Sequence, residues 1–333
     1  MSRQAYRWAW LLRVCCALDI SAAHAEWLSR TEDGIMGTRI VVELWADQKA
    51  TGEQAIDAVM AQMRHIDATM STYKSDSEVS RVNAEAAQAP QKISAELFDL
   101  LTTAVEYSRL TEGAFDITYA SVGFMYDFRR HERPNEAQIA HALPAVNYRH
   151  LLLDPVASTV KFSQVGVRID LGGIAKGYAV DCGIAILRQQ GITRALVSAG
   201  GDSRIIGDRF GKPWIIGIRH PDRKDEVIMR LPLTDTAIST SGDYEHFYDE
   251  KGTRYHHIID PRTGHSASRV RSATVLAPTA TRTDGLSKTA FVLGAEAALK
   301  IYERLGDVDA ILVKPDGKVL YSKGLEPPPP LAH

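Results

Sequence analysis

Cysteine, charge of one sign and long apolar runs are all scarce in this chain, and each scarcity excludes something. Cysteine occurs three times in 333 residues, as Cys15, Cys16 and Cys182. The first two fall in the N-terminal segment, so Cys182 alone is left to the folded part. One thiol closes no internal disulfide, and the fold must therefore rest on its core. Lysine plus arginine (39) nearly balance aspartate plus glutamate (41), a formal net charge of −2. That balance argues against a protein built around nucleic-acid phosphates. No uninterrupted apolar run has the length of a membrane-crossing helix. Internal repeats are missing too, and low complexity is confined to a proline-rich end, so residues 326–333 are expected to be a disordered tail.

What is present is an ordinary globular mixture: 45% hydrophobic residues, enough to bury a core. The length admits one large domain or two intimate halves. Residues 1–25 read as an export leader. Arg3 and Arg7 precede a short apolar segment, and Ala23-His24-Ala25 supplies a cleavage-type end. Arg13 and Asp19 interrupt the apolar segment, so a frayed N-terminal helix is the competing reading. Val14 is a poor residue before a lipidated cysteine, which leaves a lipoprotein anchor as the lesser alternative. The remaining 26–325 form the folded unit.

Periodicity gives a mixed set of elements. TRIVVELWA (38–46) alternates as a half-buried strand does. Residues 52–70 carry Ala55, Val59, Met63 and Ile66 at helical spacing, and Ser94 caps a second helix bearing Leu97, Leu101, Ala104 and Tyr107. Strands are expected at 148–153, 158–162 and 166–171. A helix follows at 174–190 with Ile174, Tyr178, Cys182 and Ile186 inward. Short strands at 195–199, 203–207, 214–219, 273–277 and 309–313 surround a helix over 284–304. Helices and strands mix without a regular βαβ beat, so the expected class is α+β.

Several runs carry chemistry. In DLGGIAKGYAVD (170–181), Gly172 and Gly173 join an apolar stretch to a helix, where bare backbone and a helix N-terminus can face an anion. Lys176 adds a positive charge, and Asp170 needs a polar partner. A tight turn before a capped helix explains the glycines equally well, and neither common nucleotide motif fits. In TATRTDGLSKTAFVLG (279–294), Asp284 is followed one turn later by Ser287, Lys288 and Thr289. A carboxylate and a hydroxyl so placed suit a hard cation, although Asp284 could equally be a helix cap. In YHHIIDPRTGHSA (255–267), His256 and His257 are adjacent, so a strand would point them to opposite faces and zinc chelation is excluded. One of them could accept a proton from an attacking hydroxyl. Met36 in GIMGTRI, Tyr73 in STYKSDSEVSRVN, and Ala114, Phe115 and Asp116 in GAFDITYA would suit a planar ring, but core packing explains any one of them as well.

Taken together, these runs resemble the ApbE family, the FAD:protein FMN transferases. The similarity spans Met36 to Leu325 and includes the ALVSAGGD glycine turn and ISTSGDY. The resemblance implies an α+β unit with T-fold-like mixed sheets, packed helices and two lobes around a central flavin cleft. It implies transfer of the FMN half of FAD to a threonine or serine hydroxyl, with AMP released and Mg2+ on the diphosphate. By motif it assigns FAD contacts to Met36, Tyr73, Ala114, Phe115, Asp116, Asp170, Lys176 and the backbone near Ile258. It assigns Mg2+ to the Gly173 carbonyl and Asp284, and proton removal to His257. The family commonly has threonine four residues after the metal aspartate, where this chain has Lys288. Ser287, Thr289 or water would then supply the third ligand, or Lys288 itself would meet the diphosphate. The implied partner is a redox subunit carrying an acceptor threonine or serine, in the periplasm or cell envelope, with peripheral association with the inner membrane. An FAD pyrophosphatase giving FMN and AMP, and a non-catalytic envelope flavin-binding protein, are the rival readings.

Overall fold

The computed structural model describes residues 25–223 and 226–325; the expected leader, apart from Ala25, and the proline-rich tail lie outside them. Eight strands form one antiparallel sheet, in the spatial order Glu26–Ile35, Thr38–Ala46, Ala195–Ala199, Asp202–Ile206, Ala237–Gly242, Ser272–Ala277, Asp309–Val313 and Val319–Tyr321. The class is α+β, as the sequence leads one to expect. The first hairpin turns through Met36 and Gly37, with φ of 54° and 68°. Two successive positive φ values make the type I′ turn that follows strand twist, and they place a methionine in the left-handed region.

Alternation along the strands sends neighbouring side chains to opposite faces of the sheet. Ile40, Val42, Leu44, Val197 and Ile206 point to a core shared with the helices Lys49–Met70 and Ala175–Gln189. Ala273, Val275, Ala310 and Leu312 pack with the helical segments Thr289–Leu293 and Ala295–Leu305. On the other face, Ile205, Ile238, Leu276 and Ile311 lie under the hairpin Trp214–Arg219/Val227–Leu233. The long stretch between the second and third strands carries more helices, including Ala95–Leu110, and a small sheet of Gln91–Lys92, Thr159–Phe162 and Leu151–Asp154.

Three expectations need correction. Gly166 stands in a turn with φ of 91°, and residues 167–171 alternate in burial, with Val167, Ile169 and Leu171 inside, but they join no sheet. Their amides donate instead to Ser121 Oγ from Arg168, Asn83 Oδ1 from Ile169 and the Ile117 carbonyl from Asp170. The helix Ala175–Gln189 buries Ala175, Gly177, Ala179, Val180, Gly183, Ile184 and Leu187, while Tyr178, Cys182 and Ile186 sit on its flank. A Cβ on Gly183 would lie 3.0 Å from Val59 and 3.3 Å from Val197. Helix, helix and sheet meet so closely at Gly183 that small residues alternate with Val180, Ile184 and Leu187 on the inward face. Finally, the expected helix over 284–304 is three segments, Ala280–Ser287, Thr289–Leu293 and Ala295–Leu305, so Asp284 stands inside a helix and not at its cap.

Candidate active site

The glycine turn and the Asp284 helix are packed directly together. Gly177 faces the Ala280–Ser287 helix so closely that a Cβ would fall 2.2 Å from the Ala280 carbonyl oxygen and 2.8 Å from Asp284 Cβ. Only a hydrogen fits. With the backbones that near, the Gly177 amide donates to Asp284 Oδ2 at 3.1 Å. From the other end, Asp181 seats the same helix by accepting from the Ala280 and Thr281 amides at 3.0 and 2.8 Å. An aspartate taking otherwise unpaired first-turn amides is the ordinary chemistry of a helix start.

Four charges converge at this contact. Lys176 Nζ lies 3.0 Å from Asp202 Oδ2 and 3.7 Å from Asp284 Oδ2, and it donates to the Gly172 carbonyl at 3.2 Å. Lys288 Nζ donates to Asp284 Oδ1 and, at 2.8 Å, to the Asp284 main-chain carbonyl. Burial alone would push the Asp284 carboxyl up, but Lys176 and Lys288, aided by the Gly177 amide, hold it below the ordinary carboxylate range. Asp202 goes the other way, raised by burial and by the negative charge of Asp284. Lys176 is held firmly protonated, because the two carboxylates outweigh the cost of its burial.

His257 completes the group. The two histidines do not share a strand: His256 closes the strand Thr253–His256, buried with Nε2 2.6 Å from the Ala267 carbonyl, whereas His257 lies just beyond it and meets His246 edge to face, ring centroids 5.3 Å apart. Burial, then the neighbouring histidines and the charges of Lys288 and Lys176, push the His257 pKa well below its usual value. It is a neutral imidazole at neutral pH, and its buried Nδ1 has no hydrogen-bond partner among the described residues.

The other expected residues divide into two sets. Phe115 reaches the glycine turn, its ring 3.4 Å from where a Gly173 Cβ would stand, and Ala114 shares an apolar cluster with Ile258. The hairpin turn at Met36 leads into Thr38, whose Oγ1 lies 2.6 Å from a Cβ position on Gly200, next to the turn that delivers Asp202. Tyr73 projects into solvent, 98% exposed. Asp116 and Asp170 are already engaged within the protein. Asp116 accepts from Thr118 and from the Tyr148 amide, and its pKa is raised by burial. Asp170 accepts from Thr72 Oγ1, Tyr119 Oη and the Gly172 amide at 2.7, 3.0 and 2.8 Å, tying the Tyr73 loop to the glycine turn. Cys182 is half-buried, and burial pushes its thiol up to about 11, away from the thiolate form that a nucleophile uses.

Sequence reasoning missed Asp202. The ALVSAGGD run was visible as a glycine turn, and the carboxylate closing it was the available signal. Gly201 lets that turn pass close to the Thr240 carbonyl, 2.6 Å from a Cβ position.

A model of the ApbE family matches residues 36–312. The chain is 33% identical over 320 residues to an FAD:protein FMN transferase of Haemophilus influenzae, covering 92% of each. It is 30% identical over 310 residues to one of Treponema pallidum, covering 87% of this chain and 86% of the relative. Among solved structures, the ApbE protein of Thermotoga maritima superposes with a TM-score of 0.83 at 33% identity, and the flavin transferase ApbE of Vibrio cholerae with 0.80 at 30%. Each covers 90% of this chain and 98% of the solved one. A match that begins in the Met36 turn and ends in the strand Asp309–Val313 takes in both arms of the charged site, and the chain belongs to the ApbE family.

Proposed function

We propose that this site transfers the FMN half of FAD to a threonine or serine hydroxyl of a redox subunit, releasing AMP. The observation that carries the reading is the pair of ammonium groups held at the start of the Ala175–Gln189 helix, beside a glycine turn. Lys176 and Lys288 keep 25% and 16% of their side-chain surface exposed, whereas Asp284 keeps none. An incoming diphosphate therefore meets the cations and the helix N-terminus, not the carboxylates that fix them. Transfer of a phosphoryl-type group asks mainly for positioning and charge neutralisation, and both are present before substrate arrives.

In this reading the acceptor oxygen bonds to the FMN phosphorus, and the bond from that phosphorus to the bridging oxygen breaks. AMP leaves with the electron pair. His257, neutral at working pH, takes the hydroxyl proton. Phe115 borders the turn where the flavin nucleotide would lie, and Tyr73 offers an exposed aromatic face that could close over it.

Magnesium, expected between the Gly173 carbonyl and Asp284, does not fit the residues as they stand. Both Asp284 oxygens are in use, and Ser287 Oγ faces inward to Ser241 and the Asp284 carbonyl. The leader-like N-terminus supports a periplasmic or envelope setting for the acceptor.

The test is incubation with FAD and an acceptor segment bearing an exposed threonine, followed by intact mass. One added FMN with one AMP released is expected. Free FMN and AMP without adduct would replace transfer by hydrolysis, and FAD surviving intact would reduce the protein to a flavin binder.

A further inference from the structure

We propose that Lys288 is the chain's own substitute for a divalent cation, so that FAD is bound and its diphosphate neutralised without Mg2+. The Lys288 side chain crosses the interval a metal would need. Its Cε stands 3.7 Å from a Cβ position on Gly173, and its ammonium reaches two oxygens of Asp284, one from the side chain and one from the main chain. The remaining carboxylate oxygen is held by the Gly177 amide and faces Lys176.

Charge counting points the same way. Asp202 and Asp284 are matched by Lys176 and Lys288, so the group is balanced before any ligand binds. A divalent ion added beside Asp284 would stand against the Lys288 ammonium, and each carboxylate oxygen already serves another donor. A diphosphate suffers no such conflict, because it is anionic and both lysine side chains keep some exposed surface. Ammonium is a compact point charge with three donors, able to bond phosphate oxygens while keeping one bond to Asp284. During transfer it meets the negative charge that grows on the departing AMP phosphate, and no proton need leave it.

This inference rests on the FMN-transfer reading, and its test separates the two. FAD affinity, from quenching of flavin fluorescence, and FMN transfer to the acceptor are both measured in excess EDTA and in millimolar Mg2+. For the unaltered protein both quantities should agree within about twofold between the two conditions. In Lys288→Thr, transfer in EDTA should fall at least a hundredfold, and Mg2+ should restore a large part of it. The variant should also gain a calorimetric Mg2+-binding signal that the unaltered protein lacks. Loss of FAD binding or transfer by the unaltered protein in EDTA, with recovery on adding Mg2+, overturns the proposal whether or not the variant folds. Failure to transfer in both conditions, with FAD binding indifferent to EDTA, removes the transfer reading and leaves the cation substitution standing. Failure to bind FAD in either condition overturns both.

Discussion

The carboxylates around the glycine turn are satisfied in two opposite ways. Asp116 and Asp170 give their oxygens to backbone amides and hydroxyls, and so act as local fasteners of loops. Asp202 and Asp284 face ammonium groups, and so act as holders of positive charge. All four lie within a few residues of a glycine, so the runs that carry them look alike in sequence. What separates them is whether a lysine faces them: Lys288 reaches Asp284 from one helical turn away, whereas Lys176 reaches Asp202 and Asp284 only through the fold. In the proposed reaction the charged pair would set the electrostatics of the site, and the fastened pair would shape its loops.

Substitutions should break that comparison cleanly. The largest effect is expected from His257→Ala, with transfer falling about 10²- to 10⁴-fold, the usual worth of a positioned base, while FAD binding is kept. Loss of FAD binding would instead make His257 structural. Next comes Asp284→Asn, which keeps an acceptor for the Gly177 amide but releases Lys176 and Lys288. Transfer should drop about 10²- to 10³-fold, and thermal unfolding should show a lower melting temperature because two ammoniums lose a buried partner. Gly177→Ala should cost on the order of 1–3 kcal/mol or more by denaturant unfolding, since its methyl meets backbone that cannot move aside. Asp116→Asn sharpens the contrast. It should cost about 1–3 kcal/mol of stability by leaving buried donors poorly paired, and its effect on transfer per folded molecule should be far smaller than that of Asp284→Asn.

The smallest effect concerns pH. His256 and His257 both have folded pKa values pushed below the usual value of 6.5, chiefly by burial. In the unfolded chain they bind protons near pH ~6.5, so between the two values the unfolded state holds more protons. Their contribution is therefore present above about pH 6.5 and is lost as pH falls through the folded values. Melting temperature should decline on acidification below that point, and His257→Gln should flatten the decline.

Much of this was legible in the sequence because it is local. Thr38–Ala46 alternates and is a strand with those bounds. Ser94 caps its helix by accepting from the Leu97 amide. The chemistry-bearing runs stood out because glycines, a lysine and an aspartate have no need to be grouped in a plain connection. What was hidden depends on close approach. On the helix after the glycine turn, Ile174 is inward as expected, but Tyr178, Cys182 and Ile186 pack at the edge of the core, because the closest contacts are made by glycine and alanine, which carry little hydrophobic signal. The stretch 167–171 has the burial of a strand, but its amides are satisfied by side chains far away in sequence, such as Asn83. Asp202 was overlooked because its partner, Lys176, is reached only through the fold.

The central claim is that Lys176 and Lys288, brought together by the glycine turn and the Asp284 helix, grip the diphosphate of FAD. A crystal structure of the protein with FAD, grown in the presence of EDTA, tests this most directly. Both Nζ atoms should lie within hydrogen-bond distance of diphosphate oxygens, with Asp284 still behind them. A diphosphate lying away from both lysines would contradict it.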